Sequence, residues 1–310
     1  MTQREILLYT AVLVVSGAVW GLSQALGKIM VSTGYMHFGL IFWQAAIGAA
    51  AMALMALLQR RRLPLHRGAI GTYFVIALLG TVIPSTTFYR SLVHLPAGIM
   101  SILISLLPMM AFPIALALGL ERFALRRLAG LLAGLAGVML LVLPEASLPD
   151  RAMLAWIPLA LVGPLFYAFE GNYVARFGTA GVDPLRVLLG ASLVSAVLVL
   201  PLALATGQFI SPFRSFGAPE WSLVGVSVAN VFVYAAYVWL VGQAGAVFSM
   251  QVSYLVTGFG ILWAMTILGE RYSPWIWASL GLVMLGVLLV QPRRNEAVAP
   301  AAPIGETGPH

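Results

Sequence analysis

The chain has 310 residues, of which 61% are hydrophobic and only 9% charged, at a mean hydropathy of +0.97. A soluble domain carries roughly 25% charged residues, so this chain has too little charge to cover a globular surface. Its net charge of +7 does not mark a nucleic-acid binder, because the basic residues sit in short loops between apolar runs, where headgroups and topology selection place them.

Ten apolar runs follow one another, at about 6–28, 37–58, 69–90, 96–118, 127–143, 154–176, 184–206, 219–241, 246–267 and 274–290. Each is long enough to cross a hydrocarbon core of about 30 Å as a helix. The expected fold is therefore an all-α polytopic membrane protein of ten transmembrane helices. The first run resembles a signal peptide in isolation, but its length and the nine that follow make it a retained helix. The Pro/Ala-rich tail, 292–310, reads as disordered.

Taken in chain order, most spans collect polar or aromatic residues on one face. The first lines up Trp20, Gln24 and Lys28, and the second contributes Trp43 and Gln44. Pro84 interrupts the third, while the fourth aligns Ser101, Ser105 and Pro108. In the sixth, Gly163, Tyr167, Glu170 and Tyr173 share a face that also carries the break at Pro164. The eighth brings Ser227, Asn230, Tyr234 and Tyr237 together, and the ninth Gln251, Tyr254 and Gly258, with Gly258 and Gly260 as expected break points. Small hydroxyl residues also serve as packing contacts between membrane helices. Tyr167, Tyr234 and Tyr254 lie deep and share faces with amides, which points to a cavity; Trp156, Trp221 and Trp275 lie near span ends, as interfacial belt residues do. The stretches "GLLAGLAG" (130–137) and "SLGLVMLG" (279–286) carry the small-residue spacing of close helix contact, within the chain or in a homodimer.

Basic residues set the orientation. With the N-terminus in the cytoplasm, twelve Arg (4, 60, 61, 62, 67, 122, 126, 127, 176, 186, 293 and 294) face inward, and four (90, 151, 214 and 271) face outward. That asymmetry places both termini in the cytoplasm. The segment 118–142 resembles 268–290, with Glu121-Arg122 on Glu270-Arg271 and Gly137 on Gly286 at an offset of 149. Five spans are thus repeated once, over 1–145 and 146–291. Because five is odd, the second copy enters the membrane from the opposite side. Inverted repeats of this kind characterise secondary transporters, whose substrate sites lie near the midplane.

Trp20-Gly21 with Lys28, "LPAGIMSILISLLP" in the fourth span, and Glu121-Arg122 ahead of a glycine-rich fifth span resemble the EamA pattern of the drug/metabolite transporter superfamily. The resemblance covers nearly the whole chain. It implies two inverted five-helix bundles and export of metabolites or amino acids, aromatic amino acids among them, across a bacterial inner membrane. The second half departs from the pattern, having no proline to match Pro108.

Of ten acidic residues, Glu170 alone lies well inside a span. It is six residues from Arg176, about 9 Å along the helix, and 19 from Arg151, about 28 Å. Intramembrane acids are functional by default, which makes Glu170 the candidate for proton coupling or for binding a substrate amine. The competing reading is a protonated acid hydrogen-bonded to Asn172, Tyr173 or a serine. Lys28, Arg90 and His94 lie toward the outer face, where snorkelling accounts for the first two. Glu121-Arg122 and Glu270-Arg271 are expected to cap helices.

The expected substrate cavity therefore comprises Trp20, Gln24, Trp43, Gln44, Ser101, Ser105, Tyr167, Glu170, Asn230, Tyr234, Gln251 and Tyr254. The partners are a small molecule and the lipid bilayer, not nucleic acid, and the protein is a monomer or homodimer. No cofactor or metal is expected. The sequence shows no phosphate-binding loop for ATP hydrolysis and no nucleophile–base set for an intramembrane enzyme, since His37, His66, His94 and His310 fall in loops, the tail or helix edges. The first reading is an exporter of an amphipathic metabolite, an amino acid foremost. The alternatives are a proton-coupled efflux carrier for lipophilic cations and, from a different class, an assembly protein, whose helix faces would be lipid-like throughout.

Overall fold

The computed structural model describes residues 3–144, 148–213 and 215–290, with the side chains of 246 and 247 excluded. The tail, Arg214, His310 and the boundary between the two halves at 145–146 fall outside the described residues. Ten helices cross the bundle: α1 (Gln3–Ser32), α2 (His37–Leu58), α3 (Arg67–His94), α4 (Ala97–Ala117), α5 (Leu125–Val142), α6 (Arg151–Phe177), α7 (Pro184–Ala205), α8 (Ala218–Ala244), α9 (Val252–Leu268) and α10 (Pro274–Val290). The last two have 17 residues each, about 25 Å at 1.5 Å per residue.

Their ends are chemically marked. The His66 ring accepts from the amide of Ala69 at the start of α3, and Asp183 accepts from the amide of Arg186 at the start of α7, each serving an amide that has no intrahelical partner. Asp183 also binds the Arg186 guanidinium and lies 3.8 Å from Arg61. Burial alone would raise its carboxyl, but the Arg186 contacts outweigh burial and hold it below the ordinary range. Gly269 closes α9 in the left-handed conformation, at φ 68°, where a Cβ would be strained.

The packing pattern is that of two inverted five-helix repeats. α1 packs on α8 and α9; its counterpart α6 packs on α3 and α4. α2 meets α8 just as α7 meets α3, while α2–α7 and α5–α10 are pairs of counterparts. Exchanging the halves therefore maps these contacts onto one another.

Lipid tails are as apolar as leucine side chains, so close backbone approach has to hold membrane helices together. Glycine supplies it. A Cβ at Gly130 would lie 2.8 Å from the Gly286 carbonyl, and one at Gly137 would lie 2.6 Å from Val283. The Ser279 hydroxyl donates to the Gly137 carbonyl at 2.7 Å. The small-residue faces of α5 and α10 are thus spent on each other, inside the chain. Between α1 and α9, a Cβ at Gly21 would meet the Gly260 nitrogen at 2.8 Å, and the Trp263 indole donates to the Ala18 carbonyl.

Two of the expected breaks occur and two do not. Before Pro84 the third helix widens into a π turn, Leu78–Val82, and α4 is interrupted at Ser105–Leu106 just ahead of Pro108. Pro164, by contrast, is absorbed in a continuous helix from Ile157 to Phe177. Gly258 and Gly260 also lie in unbroken helix; the interruption falls earlier, at Met250–Gln251, between a short turn of helix (Ala246–Ser249) and α9. Gly260 is instead a packing residue under Ser101.

Gly137→Val should destabilise the protein by about 1–3 kcal/mol through overpacking against Val283 and Ser279. Reversible unfolding in mixed micelles measures this; an unchanged midpoint would show that α5 and α10 do not depend on this approach.

Candidate functional site

α6 carries Glu170 against the π turn of α3. A Cβ built at Gly80 would lie 2.5 Å from the carboxyl carbon and from both carboxyl oxygens of Glu170. Gly80 is 13 residues from Arg67 and 14 from His94, near the middle of α3. Helical side chains lean toward their own N-terminus, which takes the carboxyl deeper than its place in the sequence suggests. The residue is half-buried, and among the described residues no donor hydrogen-bonds its carboxyl. Tyr167 from α6 and Tyr234 from α8 both lie close enough to feel its charge. Tyr237 neighbours Tyr234, and its ring lies 5.6 Å from that of Trp20. The Ser23 hydroxyl approaches the Asn230 side-chain oxygen at 3.4 Å, and Gln44 faces the buried Tyr89 hydroxyl, with Tyr167 nearby.

Beside this cluster lies a cavity of about 280 Å³ between α4 and α6. Its walls are largely apolar, from Leu107, Ala111, Phe112 and Met250, with Tyr167, Gly171 and Asn172 on the α6 side. Tyr167 thus belongs to both spaces, whereas Glu170 does not line the cavity and faces α3 instead. Asn172 is fixed by donating to the Ala111 and Ala168 carbonyls, at 3.1 and 2.9 Å. The competing reading, in which Asn172 holds a protonated Glu170, is not the arrangement observed. At the cavity mouth the buried Arg127 pairs with Glu121 at 2.6 Å and lies over the Phe112 ring.

At the opposite end of the bundle a carboxylate ties two elements together. Glu270 accepts from the amides of Ala97 and Gly98, at 2.8 and 3.2 Å, and also from the Tyr272 hydroxyl. It caps the first turn of α4, as expected of a helix-capping acid. Lys28 donates to the carbonyls of Leu92, Val93 and Leu95, so its ammonium closes the end of α3 and does not snorkel to headgroups. The His94 ring stacks on Trp156 at 3.6 Å. Glu121, the counterpart of Glu270, is held by Arg127 and not by Arg122.

Of the expected cavity residues, Tyr167 lines the cavity, Glu170 and Tyr234 lie near it, Trp20 packs on Tyr237, Asn230 meets Ser23 and Gln44 meets Tyr89. Trp43 lies elsewhere: its indole donates to the Ile210 carbonyl, among Phe42 and Phe209 at the α7–α8 connection. Ser101 and Ser105 bond the Ala97 and Ile102 carbonyls of their own helix, and Ser101 packs on Gly260, which is the glue role. Gln251 is exposed at the break before α9. The Gln24 side-chain oxygen and the Tyr254 hydroxyl are buried without partners. Gly80, Tyr89 and the Glu121–Arg127 pair were not on the expected face. No signal in the sequence marks Gly80, since at the repeat offset of 149 it falls on Ala229.

Inverted repeats, broken helices and a polar cluster at mid-depth define a multi-pass membrane carrier. Residues 7–143 and 154–291 match the EamA-like transporter family, one match per half. The chain belongs to that family, within the drug/metabolite transporter superfamily. No curated protein matches the chain. A solved structure titled only as the crystal structure of a protein is similar at a TM-score of 0.62 and 16% identity, covering 93% of this chain and 96% of that one. That likeness concerns the fold alone.

Arg127→Met should cost about 1–3 kcal/mol by leaving Glu121 without its partner, water reaching the part-exposed carboxylate. Arg127→Met with Glu121→Leu should recover most of that loss in the same unfolding measurement; failure to recover would mean that the pair is not the stabilising unit.

Proposed function

We propose that this carrier exports a small amphipathic metabolite, an amino acid foremost, from the cytoplasm of a bacterium across its inner membrane. The observation that carries the reading is an acid without a hydrogen-bonding partner at mid-depth, beside a small apolar cavity. A carboxylate in such a place is costly unless it is protonated or meets a cation, and a substrate ammonium or a proton meets that need alternately. The cavity, at about 280 Å³, falls just below the range of roughly 300–1,000 Å³ typical of ligand pockets. This favours a compact substrate over bulky drugs. Aromatic and aliphatic walls suit an apolar side chain.

In the orientation set by the basic residues, the mouth at Glu121 and Arg127 opens to the cytoplasm and the end where Glu270 caps α4 faces outward. Substrate loads from inside, and export requires the Glu270 cap on α4 to open as one half rocks against the other. Both termini are then cytoplasmic.

Counterflow in proteoliposomes across labelled amino acids and cationic dyes tests the substrate class. Exchange of an amino acid class supports the reading, and exchange of dyes alone transfers it to lipophilic cations. Glu170→Gln should abolish the pH-dependence of exchange while the protein still folds; a retained pH profile would remove Glu170 from the mechanism. Because the chain has no Cys, Ala97→Cys supplies a single thiol at the Glu270 end. An impermeant thiol reagent added outside should label it faster during exchange, and faster still when combined with Glu270→Ala. Equal rates at rest and in exchange would mean that this end is not the gate.

A further inference from the structure

The contact between Gly80 and Glu170 says more about the ligand than the presence of an acid does. Among the described glycines, Gly80 is the one whose added Cβ would land on the carboxyl group of an acidic side chain at mid-bundle. It sits at the centre of the π turn Leu78–Val82, where Pro84 brings no N–H and a carbonyl that bonds five residues on, as Leu78 does to Ile83, keeps a second lone pair. π turns of this kind widen a helix and concentrate at functional sites. At the repeat offset of 149 the counterparts of Glu170 and Gly80 are Gly21 and Ala229, so the other half carries no acid at this place. There the Ser23 hydroxyl already approaches the Asn230 oxygen. Only one half therefore presents a carboxylate on bare backbone, with the Tyr167 and Tyr234 hydroxyls near it. The other cations at hand are committed: Lys28 to three carbonyls, and Arg127 to Glu121.

We propose that Glu170, the Gly80 carbonyl and the hydroxyl of Tyr167 or Tyr234 form a seat for a primary ammonium group, with Gly80 as the residue that positions the carboxyl. The proposal rests on the amino-acid reading above and narrows it. A primary ammonium has three N–H donors and no acceptor, and this seat offers three acceptors of different kinds. A quaternary ammonium has no donor to give them and must be met by aromatic faces alone. The same seat accepts a single proton on Glu170 once the substrate has left.

The test is calorimetric titration of the purified full-length protein with 2-phenylethylamine and with its N,N,N-trimethyl analogue. Wild type should bind the primary amine about tenfold or more tightly than the quaternary one, since the latter leaves charged hydrogen bonds unmade. Gly80→Ala should erase that preference by pushing the carboxyl off the backbone. Gly80→Ala with Glu170→Asp, which withdraws the carboxyl by one methylene, should restore part of it, an outcome that a merely structural glycine would not produce. Equal binding of both amines to wild type, or an unchanged preference in Gly80→Ala, overturns the seat. Should Gly80→Ala not fold, Glu170→Asp alone decides: it should weaken the primary amine and leave the quaternary one unaffected, and any other pattern overturns the proposal. Undiminished binding of the primary amine to Glu170→Gln would sink the amino-acid reading itself, which the Gly80 variants do not address.

Discussion

Helices dissolved in lipid gain nothing from hiding apolar side chains from one another, and so this fold depends on how closely its backbones approach. Gly130, Gly137 and Gly286 bring α5 against α10, and Gly21 and Gly260 bring α1 against α9. These contacts leave no room for a Cβ and no need for polar glue, beyond hydroxyls such as Ser279 and Ser101 that bond to backbone carbonyls. The same device, used once more at Gly80, does a different job. There the space left by a missing side chain is filled by a carboxyl group, and a packing rule becomes a binding geometry.

An inverted repeat supplies every contact twice, so the places where the two copies differ carry information about direction. Glu270 caps the fourth helix of the other half, while its counterpart Glu121 is occupied by Arg127, a residue whose own counterpart position in the second half is the aliphatic Ile276. One end is thereby tied by a carboxylate on amides, and the other holds a cavity behind an ion pair. At mid-depth Glu170 and Gly80 have Gly21 and Ala229 at their counterpart positions. A symmetric frame can rock about its centre, but a substrate needs a chemically unique place to bind. The divergence of one residue pair provides it.

The frame was legible in the sequence because hydropathy, charge asymmetry and glycine spacing are local or periodic signals. Ten spans, the repeat at an offset of 149, and the isolation of Glu170 as the one acid well inside a span could all be read without coordinates. The faces were only partly legible. A helical wheel puts Ser101 and Ser105 in line with Pro108, but it cannot show that each hydroxyl turns back to its own helix. Nor can it show that the Trp43 indole is taken by the Ile210 carbonyl, since that partner lies 167 residues away. Proline was a reliable mark of breakage at Pro84 and Pro108 and not at Pro164, where α6 stays continuous. Neighbouring helices decide whether a freed carbonyl is tolerated in place.

Gly80 illustrates the limit most directly. Taken alone it is one glycine among 31, in a span whose visible polar residues lie elsewhere. Its meaning comes from what stands against it, a residue 90 positions later on a helix of opposite sense. Charge selects Glu170 from the sequence because an acid in hydrocarbon demands an explanation. The absence of a side chain selects Gly80 only once the neighbour is known. A site made by one carboxylate and one omitted Cβ is therefore half visible to sequence reasoning, and the hidden half is the one that fixes where the charge sits.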